Sequence, residues 1–116
     1  MNYYIDKSQI RPHNRFMPFR IEFRDPQLAE LATNKQAQSG YGQAVEKKFR
    51  QRIQLLITAV DERDFYALKS LHYEKLKGDR SHQHSMRLND QYRLILEYEG
   101  DGATKAIHIV AIENYH

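Results

Sequence analysis

The residue types that could do chemistry concentrate in the second half of the sequence, where basic, phenolic and imidazole side chains recur at short intervals. Cationic side chains flank a glycine turn and stand on both strands of a predicted hairpin, and a Tyr-His pair closes the sequence. If those strands are neighbours, these side chains converge on one face or edge of a sheet. The set consists of Lys75, Lys77, Arg80, Arg87, Arg93, Tyr115 and His116.

This set fits the cleavage of RNA by transesterification. That reaction needs a base for the 2′-hydroxyl proton, cations for the charge that develops on the phosphate, and an acid for the leaving 5′-oxygen. Histidine titrates at about pH 6.5 and can serve as base or acid, while arginine and lysine stabilise phosphate oxygens. Tyrosine can stack on a base of single-stranded RNA. The scheme requires neither a metal ion nor an organic cofactor, and none is expected.

Each of these features also has a plainer explanation. Basic residues beside a turn usually form a solvated surface, and a Tyr-His pair at the end of a sequence is usually a frayed end. Arg93 is more informative, because it stands on a strand that is otherwise rich in apolar residues. A charge on a sheet face requires a partner or a function, and a salt bridge would be sufficient.

Two further groups are weaker candidates for a cation site. His82 and His84 would share a face if they lay on one strand, but no third ligand is evident, so a surface pair is expected. Asp61, Glu62 and Asp64 are better explained as a solvated helix end. No metal site is predicted.

In the first half of the sequence, the pattern predicts one strand followed by two helices. Residues 19–24 alternate between apolar and charged side chains, as in a half-buried strand. Asp25 and Pro26 suit the N-cap and first position of a short helix. Residues 33–42 form a polar linker, and a long helix is predicted from 44 to 60. Its apolar stripe consists of Val45, Phe49, Ile53, Leu56, Ile57 and Val60.

The second half is predicted to be a run of antiparallel strands. A loop or short strand around Leu76 precedes strands at 85–88, 91–99 and 105–112, with Gly and Asn-Asp turns between them. On strand 91–99, Arg93 lies opposite the face that carries Tyr92, Leu94, Leu96 and Tyr98. On the last strand, Ile107 and Ile109 are expected to face one way and Val110 and Ile112 the other, as in a central strand covered on both sides. This order of elements indicates an α+β fold, with the N-terminal strand and two helices packed on a small, mostly antiparallel sheet.

Length and composition indicate one soluble domain. The chain has 116 residues, 41% of them hydrophobic and 28% charged. It has no apolar run of the roughly 20 residues that a membrane span needs and no evident signal peptide. Cysteine is absent, so secretion gains no support and a cytoplasmic location is expected. The net charge of +3 permits an anionic partner without requiring one. Residues 1–18 are interpreted as an irregular N-terminal arm, and residues 19–116 as the folded domain.

Three segments of the second half resemble a known family. They are Leu-Lys-Gly-Asp-Arg at 76–80, His-Ser-Met-Arg-Leu-Asn-Asp-Gln-Tyr-Arg-Leu-Ile-Leu at 84–96, and Ile-Glu-Asn-Tyr-His at 112–116. In this order they resemble the HigB branch of the RelE toxin superfamily. That family carries a Leu-Lys-Gly-Asp turn, a Ser-Ile-Arg strand, an Asn-Gln-aromatic-Arg hairpin and a final Asp-Tyr-His. The resemblance is close over residues 71–116, whereas the preceding elements fit by pattern.

The resemblance implies a toxin of a type II toxin–antitoxin pair that cleaves mRNA in the ribosomal A site. Its partner would be a HigA-like antitoxin with a helix-turn-helix domain, and operator DNA would be bound only through that antitoxin. Lys77 matches the family's turn lysine and Arg93 the hairpin arginine, both implied to contact the phosphate. Tyr115 and His116 match the final pair, with His116 implied in proton transfer or phosphate positioning.

Two positions depart from the family pattern. The family's aspartate before Tyr-His is Asn114 here, and an amide cannot serve as a carboxylate base. The histidine that some members place three residues before the turn lysine is Glu74 here, with His72 two residues earlier. Either residue could replace that histidine, so the general base is left open.

The predicted RNA-binding residues are Lys75, Arg80, Arg87, His72 and Glu74. The predicted catalytic residues are Lys77, Arg93, Asn114, Tyr115 and His116.

Two other functions are compatible with the same fold. RelE-like folds also include toxins that inhibit DNA gyrase without cutting RNA, since a fold does not fix a function. An inactive relative that only binds its antitoxin is the other alternative, and Asn114 is the residue that favours it.

Overall fold

The computed structural model describes residues 3–5, 19–100 and 105–115, and only the backbone of residues 3–5. Its strands are β1 (Tyr3–Ile5), β2 (Arg20–Phe23), β3 (Glu74–Lys75), β4 (Gln83–Arg87), β5 (Tyr92–Glu99) and β6 (Ala106–Asn114). Its α-helices are α1 (Pro26–Thr33), α2 (Gln43–Thr58) and α3 (Arg63–Ala67), with single 3₁₀ turns at Lys69–Leu71 and Gly78–Arg80. The expected α+β fold is confirmed.

The six strands form one mixed sheet in the order β1-β2-β6-β5-β4-β3. Strands β3 to β6 pair antiparallel with their neighbours, as do β1 and β2, whereas β2 pairs parallel with β6. The helices between β2 and the later strands supply the crossover that a parallel pair needs. The sheet is therefore mostly antiparallel, as expected, and β6 lies at its centre.

The first helix begins as its sequence predicts. Asp25 is the N-cap, its Oδ1 accepts a hydrogen bond from the Gln27 backbone N–H at 2.8 Å, and Pro26 follows as the first helical residue. Helix α2 buries the predicted stripe from Val45 to Ile57 against the sheet. Val60 was expected to complete this stripe, and that expectation is wrong. The helix ends at Thr58, and Val60 is 61% exposed beyond it.

The segment between α1 and α2 is held by side chains of α2. The Glu46 carboxylate accepts hydrogen bonds from the backbone N–H and the hydroxyl of Ser39, at 2.6 and 2.7 Å. The Arg50 guanidinium donates to the carbonyl oxygens of Leu31, Asn34 and Ala37, at 2.9, 3.3 and 2.9 Å. The bond to the Leu31 carbonyl satisfies an acceptor that the end of α1 leaves without a helical partner. Together, these contacts explain how a polar linker without an apolar pattern takes a fixed path.

One face of the sheet is covered by the helices and forms the core. It carries Met86 from β4, Leu94 and Leu96 from β5, and Ile107 and Ile109 from β6, all fully buried. The predicted alternation of β5 is confirmed. Its even-numbered residues from Tyr92 to Tyr98 belong to or pack against this core, and Arg93 lies on the other face.

A β-bulge corrects the expectation for β6. Leu94 pairs with Ile112 and Leu96 with Ile109, so the extra residue at Val110 shifts the phase of the strand by one. Ile112 therefore returns to the core face together with Ile109, instead of facing the opposite side as expected. Simple alternation cannot predict this shift, because the bulge is a property of the pairing with β5.

Three other features differ from the sequence prediction. Tyr3–Ile5, within the segment interpreted as an irregular arm, form a strand that pairs with β2. Residues 61–64 were expected only to end a helix, but α3 begins at Arg63. Strand β4 starts two residues earlier than expected and ends at Arg87. In the described part of the chain, no helix is long and apolar enough to cross a membrane.

Candidate active site

The sheet face that the helices leave uncovered carries most of the predicted site residues. Register places Arg93 of β5 opposite Arg87 of β4 on one side and Glu113 of β6 on the other. Ser85, two residues before Arg87 on β4, is paired with Glu74 of β3. Residues directly opposite each other in antiparallel strands project to the same face. The strands thus assemble a charged surface from segments far apart in sequence, which we call the open face.

Arg93 is the centre of this surface. Its Nη1 donates to Glu74 Oε1 at 2.7 Å and to Ser85 Oγ at 2.8 Å, and its guanidinium carbon lies 4.4 Å from the centre of the Tyr115 ring. The side chain is only 15% exposed, and its Nε–H is buried without an acceptor among the described residues. A buried donor without a hydrogen-bond partner lowers the free energy of unfolding by about 1–3 kcal/mol, and an acceptor for this N–H would remove that cost.

Tyr115 continues the chain beyond β6 and covers Arg93. Its backbone N–H donates to the Gln91 carbonyl at 3.1 Å, so the residue is anchored to the β4–β5 turn. The side chain is 44% exposed. Its ring contacts the Arg93 guanidinium as a cation–π pair, and the residue is partly exposed to solvent. His116 lies outside the described residues.

The register of β6 separates Asn114 from this group. Asn114 is paired with Tyr92, whose ring packs on the core side, while the preceding Glu113 is paired with Arg93. Asn114 is the exposed last residue of the strand. The position at which the family has an aspartate therefore lies on the opposite face of the sheet from Arg93.

Arg80 is held in a salt bridge on the open face. Its two terminal nitrogens donate to the two carboxylate oxygens of Glu113, each at 2.7 Å, and its Nε donates to Gln83 at 2.8 Å. These hydrogen bonds lower the pKa of Glu113 and raise that of Arg80. Arg80 thus ties the 3₁₀ turn after Lys77 to β6, and most of its donors are already engaged.

Arg87 and His72 lie together at the side of the open face. The Arg87 guanidinium pairs with Asp90, and its Nη1 lies 3.5 Å from Nε2 of His72. His72 has a left-handed backbone, with φ of 46°, at the end of the preceding 3₁₀ turn. This strained position for a residue with a side chain turns the chain into β3.

The two lysines before Gly78 occupy different surroundings. Lys77 is exposed at the start of the 3₁₀ turn, and its ammonium has no hydrogen-bond or ion-pair partner in the described chain. Gly78, with φ of +64°, allows the sharp turn that follows it. Lys75 is paired with His84 in the register of β3 and β4, and therefore lies on the helix side of the edge strand. The structure does not bring Lys75 together with Arg93.

Other polar clusters were missed by the sequence analysis. On the helix side, the His84 ring stacks on Tyr73 at 5.1 Å, and the Tyr73 hydroxyl contacts Glu62 and Tyr98 at 2.7 and 2.5 Å. Burial lowers the pKa of His84 and raises that of Tyr73. On the open face, His108 is buried with its Nε2 3.3 Å from Glu22. The sequence contains no signal for these contacts, because they join residues that are far apart in the chain.

Ser85 is the site residue whose role the sequence analysis did not identify. It is fully buried beside Arg93, where its hydroxyl accepts a hydrogen bond from the guanidinium. The hairpin register could have indicated it, since residues two apart on facing strands are diagonal neighbours. Among the described residues, no three His, Asp or Glu side chains are grouped closely enough to hold a metal ion.

The family model for the HigB-like toxin, described as a RelE-like toxin of type II toxin–antitoxin system HigB, matches residues 21–110. No curated protein matches the chain. Among solved structures, the chain is similar to a YoeB/ParE toxin from Agrobacterium tumefaciens, with 16% identity, a TM-score of 0.47, and coverage of 79% of this chain and 89% of that one. The family match spans well over half of the sequence, and the chain therefore belongs to the HigB-like family of RelE-like toxins of type II toxin–antitoxin systems.

Proposed function

We propose that this toxin is a metal-independent endoribonuclease that cleaves mRNA on the ribosome and thereby inhibits translation in the cytoplasm. A HigA-like antitoxin would hold it inactive, and operator DNA would be contacted only through that antitoxin. The observation that carries the proposal is the arrangement around Arg93. A mostly buried guanidinium, with one donor unmet among the described residues, lies under a partly exposed tyrosine on the sheet face opposite α1 and α2.

The arrangement suits a single-stranded RNA better than a structural salt bridge. Tyr115 offers a ring on which a base can stack, and Arg93 lies directly beneath that ring. The Glu74 side chain is 57% exposed, so its pairing with Arg93 can exchange with a phosphate at small cost. Lys77 adds an exposed ammonium without a partner in the described residues.

The proposed reaction follows from these groups. The 2′-hydroxyl oxygen attacks the adjacent phosphorus, a cyclic 2′,3′-phosphate forms, and the bond to the 5′-oxygen of the next nucleotide breaks. Arg93 and Lys77 stabilise the negative charge that grows on the phosphate oxygens. Glu74 is the carboxylate in contact with Arg93 and is our candidate for removing the 2′-proton, with His72 beside Arg87 as the alternative. His116 is our candidate for donating a proton to the leaving 5′-oxygen.

Substitution of Arg93 tests the proposal. Arg93→Ala should lower cleavage and growth inhibition about 100-fold or more, because loss of one transition-state donor typically costs that much. Arg24→Ala is the matched control. Arg24 is an arginine with a more exposed side chain, 39% against 15% for Arg93, and it also forms a 2.7 Å ion pair, in its case with Glu97. Its loss should leave toxicity unchanged.

Folded protein levels must be compared in the same cultures, and thermal unfolding of the purified variants checks that both remain folded. If Arg93→Ala is as toxic as the unsubstituted protein at equal protein level, the assignment of Arg93 is wrong.

A further inference from the structure

A cleft beside the open face is lined by basic side chains from a helix that the proposed mechanism does not use. It lies between α2 and the β4–β5 turn, has a volume of about 510 Å³, and includes Lys48, Arg52, His72, Arg87 and Asp90. Three permanent cations face one carboxylate there, so the cleft carries a net positive charge. We infer that this cleft binds the phosphodiester backbone of the RNA strand that lies across Arg93, a conclusion that rests on the proposed function.

The two helix residues are free to bind a ligand. Lys48 and Arg52 are four residues apart on α2 and therefore project from the same side of the helix. Arg52 donates its Nε–H to the Arg87 carbonyl at 3.1 Å, which fixes the guanidinium at the mouth of the cleft. Its terminal nitrogens, and the exposed ammonium of Lys48, have no hydrogen-bond or ion-pair partner within the described residues.

The cleft is linked to the site around Arg93 through Arg87. Arg87, which lines the cleft, is directly opposite Arg93 in the β4–β5 register, and both side chains belong to the open face. Such facing residues are separated by about 5 Å between their Cα atoms. A strand that is bound at Arg93 and continues past Arg87 would therefore run towards Arg52, which is bonded to the Arg87 carbonyl, and Lys48 in the same cleft.

The chemistry of the lining favours the RNA backbone over the bases. No tyrosine or phenylalanine lines the cleft, so it offers no phenol or phenyl ring for base stacking. The carboxylate of Asp90 is 91% exposed beside Arg87, and an exposed ion pair of this kind yields readily to a phosphate. Backbone contacts position a strand without reading its sequence. The cleft should therefore increase affinity equally for all sequences.

The test compares Lys48→Gln with Lys47→Gln in the full chain. Lys47 is the adjacent exposed lysine and does not line the cleft, so both variants have the same net charge. Binding is measured by fluorescence anisotropy over a range of salt concentrations. The probes are a short single-stranded RNA oligonucleotide and one extended by several nucleotides at each end, both with 2′-deoxy substitution at the cleavage position to prevent cutting.

For the longer probe, Lys48→Gln should reduce the slope of log affinity against log salt by about 0.7 and the affinity about fivefold at 0.1 M salt, the effect of one lost phosphate contact. Lys47→Gln should match the unsubstituted protein. The short probe should bind all three proteins alike.

Equal binding of the longer probe by the two variants would overturn the inference while leaving the proposed function intact. A loss confined to ribosome binding, with both oligonucleotides unaffected, would also overturn it, because the cleft would then serve ribosomal RNA. If the unsubstituted protein binds neither probe nor ribosomes, the proposed function fails together with the inference.

Discussion

At the scale of single residues, the site depends on how Arg93 is paired. The sequence predicts that Arg93 lies opposite the apolar face of its strand. The resemblance to the toxin family implies that Lys77 and Tyr115 belong to the site. The contacts of Arg93 with Glu74 and Ser85 could not be predicted in the same way. They require the registers of β3, β4 and β5 together, and a shift of one residue in either pairing would place those side chains on the other face.

Removal of His116 is the residue-scale test of proton transfer. If His116 protonates the leaving oxygen, a chain ending at Tyr115 should cleave at least about 100-fold more slowly while ribosome binding persists. Single-turnover cleavage and ribosome pelleting measure the two quantities. Normal cleavage by the shortened chain would exclude His116 from the chemistry.

At the scale of elements, periodicity predicts the helices and strands, and side-chain contacts fix what lies between them. The stripe of α2 and the alternation of β5 follow from burial on one side. The bulge at Val110 and the fixed path of residues 34–42 do not, since each depends on contacts with a distant element. Arg50 shows this most clearly, because its sequence neighbourhood suggests only a solvated helix face.

Arg50→Met tests how much the linker depends on α2. The substitution keeps an unbranched side chain but removes three hydrogen bonds to carbonyls at the end of α1 and in the segment that follows it. It should lower the free energy of unfolding by about 2–3 kcal/mol, because bonds from a charged donor are worth more than neutral ones and are only partly additive. Urea unfolding measures the change. Gln51→Met, at an exposed neighbouring position, is the control, and equal stability of the two variants would contradict the assignment.

At the scale of the whole molecule, the two faces of the sheet contribute differently to stability and to the proposed function. One face forms the hydrophobic core with the helices, and the other carries Arg93 and its partners. Substitution of an exposed charged residue of the open face, such as Glu74, should therefore affect binding and cleavage more than folding. The polar cluster around His84 is different, since it lies on the helix side and links the protonation of one imidazole to global stability.

The effect of pH on stability tests that link. Burial lowers the pKa of His84 in the folded protein below its ordinary value of 6.5, so the unfolded chain binds its proton more readily. Stability should therefore fall as the pH is lowered from neutral through 6.5 towards the folded pKa, and level off below it. His84→Phe, which keeps a ring against Tyr73, should lose this contribution.

The measurement is the free energy of unfolding as a function of pH, with His82→Gln as the control. His82 is exposed and lies two residues away, so its substitution should leave the contribution of His84 in place. A pH profile of His84→Phe identical to that of the unsubstituted protein would contradict the assignment.

We propose that this toxin cuts mRNA through Arg93. The most direct measurement is to induce the chain without an antitoxin and map the 5′ ends of cellular mRNA, with Arg93→Ala induced in parallel. We expect new 5′ ends in phase with codons, and we expect them to be absent from the Arg93→Ala culture. Growth arrest with intact mRNA would contradict this proposal and indicate another target such as DNA gyrase, and no phenotype at all would indicate a relative that only binds its antitoxin.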